Sequence, residues 1–320
     1  MHGHAAGLRR LDGLIWALVA LVAVLVLTVS AARGFTVEFR SFAAPGLTCL
    51  LLVLGARFYR DRRNEPKLAS ALESTAQIMA FAAVAAPLSY VAASLGLPLQ
   101  DTMFDSLDRA LGLNWQSMLA FIERWPEFSS FLRVMYLSLT VQMTAVVLLL
   151  GFTGRLPWLR VYMLAFVFAT LTTIALSTVL PAEGVWLHYG LKGDALPVSH
   201  TSWPVFLGLR DGSYRLIVAI GAEGIITFPS LHAALAVILM AALWPIPVAR
   251  WLSVGINMLM LAATPIDGSH YFVDVLAGIA IAVASLAAAR TMVARWTEPF
   301  RSAASSELAM VSPETVTPAR

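Results

Sequence analysis

Eight stretches of this chain are apolar for long enough to be membrane helices, and that leaves few possible folds. They fall at about 13–32, 43–59, 72–95, 130–151, 158–181, 228–245, 250–266 and 270–290. A transmembrane helix needs roughly 20 mostly apolar residues, with a range of about 17–25. Composition agrees: 59% of the 320 residues are hydrophobic and 13% are charged, against about 45–50% and about 25% in soluble domains. The expected fold is an all-α integral membrane protein with about eight transmembrane helices. Its predicted parts are a two-helix membrane hairpin over 1–68, a six-helix catalytic unit over 69–292, and a disordered polar tail over 293–320.

The first run follows Arg9 and Arg10 and precedes Ser30, Ala31 and Ala32, a pattern shared with signal peptides. Its apolar core exceeds the 7–15 residues of a typical signal, which predicts an uncleaved anchor. The single cysteine, Cys49, allows no intrachain disulfide. A net charge of +3 argues against a large nucleic-acid surface. With the N-terminus inside, 14 of the 22 Lys and Arg residues fall on inner segments and 8 on outer ones. The cluster Arg57, Arg60, Arg62, Arg63 and Lys67 dominates that bias, so both termini are expected in the cytoplasm.

Two outer segments are long. In 96–129, Phe104, Leu107, Leu111, Met118, Leu119 and Phe121 alternate with acids at near-helical spacing. This predicts an amphipathic helix on the outer interface, with Trp115 and Trp125 as anchors. Segment 182–227 carries Trp186, His188, His200, Trp203, Arg210, Arg215 and Glu223.

Polar groups beside membrane helices are costly and tend to be functional. Three sets stand out, all on the predicted outer face. In "FPSLH" (228–232), Pro229 suits the first position of a helix. The free amides near Ser230 and His232 then form an anion site. The same residues also read as a plain capped helix start with an interfacial histidine. In "DGSHYFVD" (267–274), His270 and Asp274 are four apart and share a helix face. The carboxylate can hold one ring nitrogen and raise the basicity of the other. In "GLRDGSYR" (208–215), Arg210 and Arg215 offer planar donor forks suited to phosphate. They also read as a solvated loop around an Asp-Gly turn.

His232 and His270 are 38 residues apart. A hairpin of two helices of about 17 residues, turned at Pro245 and Pro247, returns the chain to the same face. Two histidines, one backed by a carboxylate, beside phosphate-type ligands point to nucleophile and acid chemistry on a phosphoester.

"PSLH" at 229–232 and "HYFVD" at 270–274 resemble two motifs of the type 2 phosphatidic acid phosphatase superfamily, P-S-G-H and S-R-x5-H-x3-D. Leu231 stands where the former has glycine. Ala263 and Thr264 stand where the latter has serine and arginine. The K-x6-R-P motif is not present as written. The wording around both motifs is most similar to the inositolphosphotransferase (aureobasidin-resistance protein-like) branch. The resemblance covers about residues 70–290. It implies His270 as nucleophile, Asp274 as its orienting partner and His232 as acid/base. It also implies Ser230 and arginines around the phosphate, and neither metal nor cofactor. The implied activity is a lipid phosphotransferase or phosphatase at the outer leaflet, with a membrane lipid as substrate. The branch moves a phosphoinositol head group; a lipid phosphate or polyprenyl pyrophosphate phosphatase is the alternative. A bis-histidine haem protein would need neither Ser230 nor Asp274. A transporter would place polar groups at the midplane, where only Gln142 and Thr144 stand out.

Overall fold

The computed structural model describes residues 2–191, 197–219, 222 and 224–297. Lys192, Glu223 and the segment 298–320 lie outside the described residues. The chain is almost wholly helical. The helices are α1 (His2–Ala32), α2 (Ala43–Asp61), α3 (Pro66–Ala93), α4 (Asp101–Ala110), α5 (Trp115–Glu123), α6 (Pro126–Leu137) and α7 (Leu139–Phe152). They continue as α8 (Leu156–Val179), α9 (Val185–His188), α10 (Trp203–Asp211), α11 (Leu231–Leu243), α12 (Pro247–Asp267) and α13 (Phe272–Thr297). Two short parallel strands pair, β1 (Thr36–Val37) with β2 (Leu216–Ile217).

Among the described residues, α1, α2 with its preceding turn, α3, α8 and α13 are each long and apolar enough to cross a membrane. The α6–α7 pair, bent by 46°, is a broken span or a re-entrant loop, so the described residues hold five spans, or six with that pair, against the eight expected. The fold is therefore an all-α membrane protein, as its apolar runs predict. The run 130–151, expected as one helix, breaks at Ser138, whose hydroxyl donates to the Met135 carbonyl. Helix α11 is only 13 residues long, about 20 Å. Its start is delayed from the predicted 228 to Leu231, so Pro229 precedes the helix and Ser230 caps it.

The main core lies where α8 is wrapped by α1, α3, α11 and α13. Leu8, Leu11, Ile15 and Val19 bring α1 into that core. Helix α2 packs on α3 and leaves most of its surface outside. A buried polar network joins α1 to α8: Arg160 Nη2 donates to Asp12 Oδ2 at 2.9 Å and Nη1 to Ser74 Oγ at 3.1 Å. Beside it, Glu73 accepts from Trp16 Nε1 and Arg60.

Segment 96–129 departs from the single interfacial helix expected for it. Two helices, α4 and α5, form there, separated by a turn in which Gly112 has φ +73°. Trp115 is no surface anchor: it is buried against Trp186, and its Nε1 donates to the Pro265 carbonyl at 2.9 Å. Phe104, Trp115, Trp186 and Tyr271 form a second core. An aromatic ring with one polar edge fits a buried site wherever that edge finds a partner, and amphipathic spacing alone does not show the partner. Trp125 is 60% exposed.

Candidate active site

The second core holds the turn between α12 and α13. Asp108, on α4, accepts from the amides of Phe272 and Val273 at 2.8 and 2.9 Å. These are first-turn amides of α13, which have no partner inside their own helix. A carboxylate at that end also complements the helix dipole. Burial pushes the Asp108 carboxyl up, and the two amides pull it back. Asp101, also on α4, accepts from the Tyr271 hydroxyl at 2.9 Å and from the Glu183 and Gly184 amides. Within the turn, Ser269 takes the left-handed conformation with φ +58°, uncommon for a residue with a side chain. Its hydroxyl oxygen and carbonyl accept from the amides of Trp186 and Val185. Two separate segments, α4 and the start of α9, thus fix the turn that carries His270.

His270 is 3% exposed. Its Nδ1 lies 3.3 Å from Asp274 Oδ2, and its Nε2 lies 3.2 Å from Ser230 Oγ. The same Asp274 oxygen accepts from the Tyr271 amide at 2.9 Å, which holds the carboxylate in place. Burial is the main force holding the His270 imidazole down, to about 3, with His232 adding to it. This residue sits in the turn, because α13 begins two residues later than 270.

Ser230 is fully buried. Its Oγ accepts from the Ala233 amide at 3.3 Å, and its own amide donates to the Asp274 carbonyl at 3.0 Å. The starts of α11 and α13 are therefore bonded to each other directly. Gly278 permits that closeness, since a Cβ there would stand 2.3 Å from the Ser230 carbonyl oxygen. His232, one position into α11, lies against Tyr136 of α6. Their rings are nearly parallel with centroids 4.1 Å apart, and Nδ1 is 3.3 Å from the Tyr136 hydroxyl.

His232, His270 and Tyr136 all line one cavity of about 390 Å³. Its other walls are mostly apolar and include Ile78, Ala82, Met143 and Phe166. Sequence spacing therefore brings four predicted residues together: Ser230, His232, His270 and Asp274. The two predicted arginines stand elsewhere. Arg210 Nη2 donates to the Leu97 carbonyl at 2.7 Å, and its guanidinium lies over Phe206. Burial draws the Arg210 pKa down, against the pull of Glu183 and Asp101. Arg215 Nη1 donates to the carbonyls of Leu209 and Tyr214, over the ring of Phe35. Neither arginine lines the cavity with the histidines.

Another cation is bonded just before the turn that carries His270. Arg133 lies one turn before Tyr136 on α6, and its Nε is 3.0 Å from Asp267 Oδ1, the residue before Gly268. Tyr136 and Arg133 went unmarked in the sequence. The available signal was an arginine and a tyrosine at i, i+3 in an otherwise apolar run, a spacing that puts both on one face.

The motif residues and the helices that carry them coincide with a family pattern. The model of the PAP2 superfamily matches residues 103–288, more than half of the chain, including Ser230, His232, His270 and Asp274. The chain belongs to the PAP2 superfamily. Membership supports a phosphatase-type activity on lipid phosphoesters. The matched region begins within α4, so this PAP2 unit includes Asp108 and the bent α6–α7 pair. No curated protein and no solved structure matches the chain. At Thr264, where the superfamily motif has arginine, the hydroxyl donates to the Met260 carbonyl within α12.

Proposed function

We propose that this PAP2 protein transfers a phosphate-linked group from a membrane lipid through a phosphohistidine on His270. The observation that carries the reading is the placement of His270 between Asp274 and Ser230, with His232 on the same cavity. With Nδ1–H donated to Asp274, the Nε2 lone pair faces the cavity beside Ser230 Oγ. Nε2 attacks phosphorus, the P–O bond to the leaving group breaks, and His232, protonated beside the bound anionic phosphate, gives the leaving oxygen its proton. In the second half, His232 takes a proton from the acceptor hydroxyl, whose oxygen attacks phosphorus and releases Nε2. Nucleophile, base and orienting group are the parts such chemistry needs.

The phosphate oxygens have Ser230 Oγ and the amides of Leu231 and His232, which have no partner among the described residues. Such amides at a helix start favour anions. Arg133, bonded to Asp267 beside the His270 turn, supplies the cation in this reading, although like Arg210 and Arg215 it does not line the cavity. The apolar walls favour a lipid, and the deep burial of His270 favours an alcohol acceptor over free water. Head-group transfer of the phosphoinositol type is thus the reading the site supports best, with plain lipid phosphate or pyrophosphate hydrolysis as the second. The Lys/Arg bias places the histidines on the extracytoplasmic side and both termini in the cytoplasm.

The test is a lipid panel on purified protein. Phosphatidic acid, polyprenyl pyrophosphate, and phosphatidylinositol with ceramide would be supplied, and released phosphate compared with head-group transfer. His270→Ala is expected to abolish turnover and phosphate labelling of the chain. Full labelling in that variant would remove His270 as nucleophile.

A further inference from the structure

The end of the bundle away from the histidines holds a second cavity, of about 660 Å³, between α1, α2 and α3. It forms because α1 and α2 both pack on α3 and hardly on each other. Leu50 and Val53 of α2 give it an apolar wall, and Arg9 and Arg57 stand on its rim. Two acids line it too, and each is already neutralised. Asp12 is held by Arg160, and Glu73 by Arg60. Arg9 and Arg57 are both exposed and have no ion-pair partner among the described residues. The lining therefore carries two unmatched positive charges above a greasy wall.

We propose that this cleft is a binding site for one anionic glycerophospholipid, separate from the histidine site. Its phosphate would sit between Arg9 and Arg57, and its acyl chain along Leu50 and Val53. Guanidinium forks match phosphate oxygens in pairs, and basic pockets between membrane helices take acidic lipid head groups. A cleft open to the bilayer with an apolar wall and a cationic rim matches both halves of such a lipid. The occupant completes the packing of α2, the helix with least contact to the core. The two sites share no lining residue and are distinct along the bundle: Glu73 of this cleft and Ile78 of the histidine cavity are five residues apart on α3, about 7.5 Å.

The test is native mass spectrometry of the full chain in detergent, titrated with dioleoyl phosphatidylglycerol or dioleoyl phosphatidylcholine. One phosphatidylglycerol per chain is expected to be retained, and phosphatidylcholine far less. Arg9→Gln with Arg57→Gln should weaken retention about thirtyfold, while Arg9→Lys with Arg57→Lys keeps most of it. Leu50→Trp should reduce it by filling the cleft with no change of charge. His270→Ala should bind the lipid as the unaltered chain does, whatever becomes of turnover. Equal retention of the two lipids would overturn the site, as would retention unchanged by the double glutamine variant. So would retention lost only in His270→Ala, which would put the lipid in the histidine cavity.

Discussion

The ring of Tyr136 lies flat on the imidazole of His232, with centroids 4.1 Å apart, and its hydroxyl stands 3.3 Å from Nδ1. The pair joins α6 to the start of α11, so the His232 imidazole is oriented by a residue far from it in sequence. Tyr136→Phe keeps the stack and removes the hydroxyl. A net hydrogen bond is worth about 0.5–1.5 kcal/mol, so kcat is expected to fall about tenfold with little change in Tm. The pH–rate profile should move with it, because the group that holds His232 has changed. An unaltered kcat and profile would remove Tyr136 from the reaction.

Arg133 and Arg210 can be separated by substitution. Arg133→Gln is expected to raise KM and lower kcat together, by at least tenfold in kcat/KM, with Arg133→Lys recovering part of the loss. Arg210→Gln should change kcat/KM less, since Arg210 is bonded to the Leu97 carbonyl outside the cavity. Initial rates over a range of lipid mole fractions decide between them. A larger loss at Arg210 would return the phosphate to the loop around 210.

Gly278 offers a steric test. A Cβ there would meet the Ser230 carbonyl at 2.3 Å, whereas one at Gly255 meets nothing within 4 Å. Overpacking costs about 1–3 kcal/mol, so Gly278→Ala should lower Tm and move Ser230 away from His270, reducing turnover at least tenfold. Gly255→Ala should leave turnover alone and raise helix stability, by up to about 1 kcal/mol. Thermal unfolding and initial rates of the two variants, side by side, check this.

Stability should depend on pH through His270. Its folded pKa is held below the ordinary value near 6.5, first by burial and then by His232. The unfolded chain therefore takes up a proton below about pH 6.5 that the folded chain refuses. This contribution is whole above pH 6.5 and declines as pH falls below it, by up to about 1.4 kcal/mol per pH unit. Between pH 7 and 5, Tm should drop more in the unaltered protein than in His270→Gln. Parallel curves would show that His270 is not held neutral by the fold.

The readable part of this site was local. Ser230 with His232, and His270 with Asp274, lie within four residues of each other, across the starts of α11 and α13. The 38-residue hairpin then needed only the length of two helices. Tyr136, Arg133 and Asp108 reach the site across 96, 134 and 164 residues of chain. No period in the sequence carries such a pairing. Trp115 shows the opposite failure, since its amphipathic surroundings fit an interface and a buried second core equally well. Arg210 and Arg215 have the right chemistry for phosphate, but backbone carbonyls nearby take Nη2 of Arg210 and Nη1 of Arg215, while Arg210 Nη1 has no partner among the described residues.

The pairing of Asp12 with Arg160 spans 148 residues, and this has a consequence for how the chain is built. At about 5–20 residues per second, synthesis of that interval takes about 7–30 s. Throughout it, α1 exists without the cation that its carboxylate will meet. A lone ionised carboxylate is costly inside a bilayer, so the seating of α1 against α8 has to wait for Arg160, after α3 is already there for α1 to pack on.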